Sequence, residues 1–180
     1  MARLDSGNPL GAPVAAASID SVVANSTRIA DSFVQRYYHL QDLAPLERAQ
    51  ALPSLYAPTA RITWNGNPIA PPDLAAFAQQ MPQSAHDVQA FDCHPISGSA
   101  SGTQPPSLVV TVSGQVTHGP TPTPASAAVS NKNFDGLARV FSQSLILVPT
   151  PAAGAGVVDP AAAAVGEAGY VVASDCFRFC

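Results

Sequence analysis

Asp92 and His94 are the two side chains of this sequence whose types and spacing best suit general acid–base chemistry. Residues two apart in a β-strand point to the same side, and this would make the carboxylate and the imidazole neighbours. Catalysis of this kind also needs a titrating group that faces the substrate in a dry pocket. However, strand alternation places Asp92 on the outside of the predicted sheet, and Pro95 breaks the strand just beyond His94. An enzyme is therefore the weaker alternative.

The other residue types that bind metals or attack substrates are scattered. The cysteines are Cys93, Cys176 and Cys180. This odd set lacks metal-ligand spacing and fits free thiols in a reducing compartment. The remaining histidines are His39, His86 and His118. They show no ligand spacing either, and we expect neither a metal site nor a cofactor.

The composition argues against several classes of protein. Only 11% of the 180 residues are charged, against a typical quarter, and there are 18 prolines. The net charge is −4 and Lys132 is the single lysine, which is unsuited to binding a phosphate backbone. No run approaches the roughly 18 apolar residues of a membrane span, and Asp5 follows Arg3 where a signal peptide would begin its apolar block. We expect a soluble, non-secreted protein.

Hydrophobic spacing predicts helices first and strands afterwards, which is an α+β plan with the helices on one face of an antiparallel sheet. The predicted helices are Ile19–Asp42, Leu46–Leu52 and Asp73–Met81. The predicted strands are Arg61–Trp64, His86–Ile96, Leu108–Thr117, Leu137–Val148 and Tyr170–Cys180. Asn65-Gly66 is a strong hairpin signal after the first strand.

Three segments lack the large apolar residues that a core needs. Residues 1–18 are predicted to be a flexible leader, and 119–136 and 149–168 are predicted to be loop insertions. The rest of 19–180 is predicted to form a single domain.

Alternation along the strands predicts two different sheet faces. On the closing strand we assign Val171, Ala173, Phe177 and Phe179 to the core, with Asp175 buried beside them in a structural role. The opposite face of that strand would carry Tyr170, Val172, Ser174, Cys176 and Arg178. On the neighbouring strands the core set is Val110, Val112, Phe141, Leu145 and Leu147. The outer set is small and mixed, which suits a sheet-on-sheet protein contact.

Five short motifs occur in order along the chain. They are Phe33-Val-x-x-Tyr-Tyr38, Trp64-Asn-Gly-Asn67, Asp92-Cys-x-Pro95, Val109-Val-x-Val-x-Gly114 and Ala173-Ser-Asp-Cys-Phe-Arg-Phe179. Together they resemble the nuclear transport factor 2-like family. Within it the chain is similar to the small subunit of the heterodimeric mRNA-export receptor, which is the NXT group of animals and mRNA transport regulator 2 of fungi.

The resemblance implies a cone, in which a curved antiparallel sheet wraps around three helices, and it implies no catalytic role. The open sheet face would pair with the same fold in the large export receptor of the TAP/NXF type, which binds messenger RNP cargo and nuclear-pore Phe-Gly repeats. The protein would then shuttle between nucleus and cytoplasm. Asp92 would form a salt bridge with an arginine of the partner. The predicted partner-binding residues are Asp92, Thr111, Val140, Ser142, Ser144, Ile146, Ser174, Cys176 and Arg178.

Several alternatives stay open at this stage. Asp92 and Arg178 could pair with each other on a solvated sheet. The chain could be a homodimeric carrier that imports a small GTPase in its GDP form, or a cone-shaped isomerase or dehydratase. Segment 119–136 is longer than animal members allow, which favours a fungal type. Besides His118, Lys132 is its single basic residue, which predicts at most weak or indirect RNA contact.

Overall fold

The structure, a computed structural model, describes residues 19–96, 105–119, 136–150 and 169–180. The predicted leader and nearly all of both predicted loops lie outside the described residues. The helices are α1 (Ile19–Gln41), α2 (Pro45–Ala51) and α3 (Leu74–Gln80), with short 3₁₀ turns at Leu52–Leu55 and Pro71–Asp73. The strands are β1 (Tyr56–Trp64), β2 (Asn67–Ile69), β3 (Ser84–Ile96), β4 (Ser107–His118), β5 (Ala138–Pro149) and β6 (Tyr170–Phe179).

The first helix presents one apolar stripe to the sheet. Ala30, Phe33, Val34, Tyr37 and Tyr38 are buried at spacings of three and four, which places them on one side of an α-helix. This stripe joins a core that contains the inward side chains of β4, β5 and β6. The helix ends one residue before the predicted end.

Asp42, just beyond α1, connects the helix end to β3. Its Oδ2 accepts the backbone N–H of His86 at 2.9 Å, and its Oδ1 lies 2.6 Å from the His86 ring nitrogen. Burial alone would raise the pKa of Asp42, but the hydrogen bonds and charge of His86 outweigh it and lower that pKa below its usual value.

The predicted hairpin at Asn65-Gly66 is confirmed. Both residues have positive φ, 49° and 81°, and Trp64 pairs with Asn67 across the turn. These φ values are the ones that a tight two-residue hairpin requires, and Asn and Gly adopt them at little cost.

The six strands form one curved, mixed sheet in the order β2-β1-β6-β5-β4-β3. The expectation of an entirely antiparallel sheet is wrong at one position, because β6 pairs with β1 in parallel. The closing strand lies between β1 and β5. No short turn connects β1 to β6, and nothing local forces them to be antiparallel.

A bulge in β6 corrects the predicted faces at the start of the closing strand. Ile146 pairs with Ser174 but Leu147 pairs with Val172, which leaves Ala173 as an extra residue. Val172 is consequently fully buried, whereas Val171 and Ala173 are only half-buried. Beyond the bulge the prediction is correct, because Phe177 is in the core.

A second bulge lies in the edge strand β3, between Val88 and Ala90. The carbonyl of Asp87 there comes so close to Gly114 of β4 that a Cβ at Gly114 would lie 2.1 Å from that oxygen. Only glycine fits at this close approach of the two strands.

Arg48 joins the ends of two helices from inside the protein. It is 2% exposed, and its guanidinium donates to the carbonyls of Gln41, Ala78, Met81 and Pro82 and to the Ser84 hydroxyl at 2.5 to 3.1 Å. The carbonyls at helix C-termini lack partners within their own helix and carry partial negative charge. A buried cation is therefore held without a carboxylate. Burial lowers the pKa of Arg48, and the charge of Asp42 partly offsets this.

The described residues share one hydrophobic core. No described helix is long and apolar enough to cross a membrane.

Candidate functional site: the outer face of the sheet

Asp175 lies at the centre of a buried polar cluster inside the cone. Its Oδ2 accepts hydrogen bonds from the hydroxyls of Tyr37 at 3.0 Å and Tyr56 at 2.6 Å. Its Oδ1 accepts one from Gln143 Nε2 at 2.7 Å, and Tyr38 donates to the Oε1 of that amide at 2.6 Å. The expectation that Asp175 is buried with hydrogen-bonding partners is confirmed.

Burial determines the protonation behaviour of this cluster. It raises the pKa of Asp175, although hydrogen bonds from Tyr56, Gln143 and Tyr37 offset part of the effect. It also raises the pKa of Tyr37 and of Tyr56 well above the usual value, and neighbouring charges act in the same direction. The phenols therefore stay protonated and available as donors, which suits a structural role for the carboxyl group.

A cavity of about 20 Å³ adjoins this cluster, and Asp175, Trp64 and Phe77 are among the residues that line it. Such a volume holds about one water molecule and no organic substrate. His118 also lines it, and its buried Nδ1 has no hydrogen-bond partner among the described residues. Burial, reinforced by the charge of nearby His86, lowers the pKa of His118 to about 4.

Trp64 is half-buried and packs against the core among other aromatic side chains. Its indole stacks on Phe177 at 3.9 Å between ring centroids and meets Phe77, His118 and Phe179 edge-on. No described group of three or more His, Cys, Asp or Glu side chains is arranged to hold a metal ion.

The outer face is the side of the sheet opposite the core. Side chains that are directly opposite each other form three rows across β3, β4, β5 and β6. The first row is Ala90, Ser113, Ser142 and Arg178; the second is Asp92, Thr111, Ser144 and Cys176; the third is His94, Val109, Ile146 and Ser174. Val140 follows on β5, opposite Gln115. All nine predicted partner-binding residues therefore lie on one continuous surface.

The side chains of this surface are mostly small and uncharged. Its largest apolar side chains are Val140, 49% exposed, and Ile146, 37% exposed. Thr111, Ser144 and Arg178 are exposed, whereas the remaining members of β5 and β6 are half-buried by their neighbours. Small side chains over several strands leave a sheet that a second sheet can approach closely.

Asp92 and His94 do contact each other at the β3 end of this face. His94 Nε2 lies 3.0 Å from Asp92 Oδ2, both side chains are about 70% exposed, and the other carboxylate oxygen accepts the N–H of Cys93. Exposure of this kind is the opposite of the dry pocket that acid–base catalysis needs. Asp92 does not pair with Arg178, because three strand spacings of about 4.8 Å separate their strands.

Arg61 and Thr63 belong to the same face and are missing from the predicted set. They lie on β1 opposite Ser174 and Cys176, and Ile62 between them is buried. Alternation around Ile62 indicates that they point outward. The parallel placement of β1 beside β6, on which their membership of this face depends, has no local signal in the sequence.

Residues 24–132 match the family model described as "Nuclear pore RNA shuttling protein Mtr2". This match spans more than half of the 180 residues. The chain belongs to the Mtr2 family. The recognition of an export-receptor small subunit from the five motifs is thereby confirmed.

A curated relative supports the same grouping. The chain is 30% identical over 167 residues to NTF2-related export protein 1 of Bos taurus, with 91% of this chain and 96% of the relative covered.

Solved structures confirm the nuclear transport factor 2-like fold. A chain of the Chaetomium thermophilum Mex67 NTF2-like domain complexed with Mtr2 has a TM-score of 0.59 at 21% identity, and 87% of this chain and 99% of that chain are covered. Candida albicans Mtr2 has a TM-score of 0.56 at 20% identity, with 86% and 96% covered. A putative Streptomyces avermitilis dehydratase of the NTF2-like family has a TM-score of 0.55 at 11% identity, over 87% and 98%. These likenesses concern the fold alone.

Proposed function

We propose that the chain is the non-catalytic small subunit of a heterodimeric mRNA-export receptor. It would pair through its outer face with the nuclear transport factor 2-like domain of the large, Mex67 or TAP/NXF type subunit. The observation that carries this proposal is a sheet face of small, mostly uncharged side chains that no described residue covers, on a member of the Mtr2 family. In Chaetomium thermophilum, the NTF2-like domain of Mex67 is complexed with Mtr2 in a solved structure that has the same fold.

The two subunits would stabilise each other by burying their sheet faces against one another. Ile146 and Val140 present apolar area next to the short side chains of β4 and β6, and a facing sheet would remove that area from water. Asp92 would be desolvated at the same time and needs a cation on the partner, for which an arginine is the best geometric match. The predicted partner-binding residues are proposed to act in this way, as contacts and not as catalysts.

The non-catalytic role draws support from the cone interior. Three hydrogen-bond donors hold the Asp175 carboxylate, and the adjoining cavity has room for about one water molecule. The exposed Asp92–His94 pair lies on the opposite side of the sheet from that cavity.

The pair of subunits is proposed to shuttle through nuclear pores between nucleus and cytoplasm. Contact with Phe-Gly repeats would belong to the complex, and contact with RNA would be weak or indirect. Segments 119–136 and 149–168 lie almost wholly outside the described residues, and no role is assigned to them.

The test is co-expression with the large subunit's nuclear transport factor 2-like domain, followed by size-exclusion chromatography with light scattering. We expect a 1:1 complex with the wild-type chain. Cys176→Glu and Asp92→Lys should abolish it, because each places an uncompensated charge in the second row. Gln79→Glu is the matched control, since Gln79 is exposed on α3, away from the outer face.

Wild-type affinity in both face variants would overturn the proposed surface. A lone homodimer that ignores the large subunit but binds a GDP-loaded small GTPase would favour the import-carrier alternative instead.

A further inference from the structure

The third row of the outer face does not end at β6. Because β1 pairs with β6 in parallel, Arg61 lies directly opposite Ser174. The row therefore begins at His94 on β3 and ends at Arg61 on β1, with only Val109, Ile146 and Ser174 between them.

Acidic and basic side chains lie towards opposite sides of this extended face, where Arg178 on β6 and Arg61 on β1 are the cations. Asp92 lies on β3, and Arg61 lies on β1, four strand spacings away, which is about 19 Å. Screening in physiological salt acts over about 8 Å, and these two side chains therefore cannot satisfy each other. Arg61 is exposed and makes no hydrogen bond or ion pair with any described residue.

A facing sheet that buries this surface must supply counter-ions for Asp92, Arg178 and Arg61. A guanidinium that loses water without gaining a counter-ion is costly, whereas one that meets a carboxylate can form two parallel hydrogen bonds. On β4 and β5 the rows carry no charged side chain, and this middle part gives little preference among orientations of the partner. Opposite charges at opposite ends specify one orientation, because a partner rotated by half a turn would meet like charges.

We infer that Arg61 binds a carboxylate side chain of the large subunit, at the end of the interface opposite Asp92. The inference rests on the proposed heterodimer and adds to it a specificity-determining residue and the chemistry of its partner. Arg61 acts as an orienting charge in addition to Arg178, beside Thr63, on a strand outside the predicted interface.

The experiment measures the affinity of the full chain for the large subunit's nuclear transport factor 2-like domain. The variants are Arg61→Glu and Arg61→Gln, and the control is Arg36→Glu, which makes the same charge change on the exposed side of α1. We expect Arg61→Glu to weaken binding by about 30-fold or more and Arg61→Gln by about 5-fold. Arg36→Glu should change it less than about 2-fold. The Arg61→Glu deficit should shrink between about 50 and 300 mM salt.

Cys176→Glu, measured in parallel, separates the two proposals. If it abolishes binding while Arg61→Glu behaves like Arg36→Glu, the heterodimer surface stands and the role of Arg61 is overturned. If Cys176→Glu binds like the wild type, the outer face is not the interface and both proposals fail. A loss with Arg61→Glu that is unchanged by salt would also overturn an ionic contact.

Discussion

The polar groups inside the cone and those on its outer face are satisfied in different ways. Inside, Arg48 uses every guanidinium N–H on protein acceptors, and Asp175 accepts from three donors. Outside, Arg61 and Arg178 contact no described acceptor, and Asp92 is bonded only within its own strand. Among the described residues, buried side-chain polar atoms other than His118 Nδ1 have hydrogen-bond partners, whereas Arg61 and Arg178 are left to water.

This difference separates stability from association. A buried donor or acceptor that loses its partner destabilises the folded state, because water cannot replace the lost bond. An exposed group loses nothing on folding and matters only when a partner displaces its water. Interior variants should therefore lower the free energy of unfolding and leave the affinity for the large subunit unchanged. Outer-face variants should lower that affinity and leave the free energy of unfolding unchanged.

The largest effect is expected for Arg48→Met. The substitution leaves four carbonyls and the Ser84 hydroxyl without their donor, and we expect a loss on the order of 3 kcal/mol or more in the free energy of unfolding. Arg48→Lys keeps the charge but offers three donors in place of five, and it should lose less. Urea denaturation measures both, with exposed Arg36→Met as the control. Equal stability of Arg48→Met and Arg36→Met would contradict the helix-end role.

Asp175→Leu should come next, with a loss of about 2 kcal/mol, because the hydroxyls of Tyr37 and Tyr56 and the amide of Gln143 lose a shared acceptor. Tyr56→Phe removes a single donor and should lose about 1 kcal/mol. Both should bind the large subunit with wild-type affinity below their melting temperature. A folded Asp175→Leu variant that fails to bind would contradict the view that the interior determines stability and the outer face determines association.

Local chemistry made part of this structure predictable. Asn65-Gly66 requires nothing beyond its own φ preferences, and the predicted hairpin forms there. The inward side of β4 and β5 followed from strict alternation along Val110, Val112 and Leu145, because neither strand contains a bulge within that stretch. The five motifs identified the family.

Non-local contacts explain what could not be predicted. The bulge at Ala173 depends on how β6 fits between two strands, one of them parallel, and it reverses the alternation at Val172. Arg48 is a residue type that is normally exposed, and most of its acceptors come from residues 30 or more positions away. Arg61 joins the outer face only through the same β1–β6 pairing.

A pH dependence of stability is expected from His118, whose pKa falls from an ordinary 6.5 to about 4 in the folded protein. Between these values the unfolded chain takes up a proton that the folded protein does not, and stability therefore falls as the pH drops from 6.5 towards 4. His118→Phe keeps ring contacts with Trp64 and Phe179 and removes the unpartnered Nδ1. Unfolding free energies at several pH values should show a shallower acid decline for this variant than for the exposed control His39→Gln.

The smallest effect on folding should come from Ile146→Ala and Val140→Ala on the outer face. Both side chains are substantially exposed, and their removal should change the free energy of unfolding by less than about 0.5 kcal/mol. If a facing sheet buries them, affinity for the large subunit should fall by about 3- to 10-fold for Ile146→Ala, which loses more apolar area from the centre of the third row. Val140→Ala, further along β5, should lose less. Titration calorimetry measures both, with exposed Leu46→Ala on α2 as the control, and equal affinities for all three variants would place the contact elsewhere.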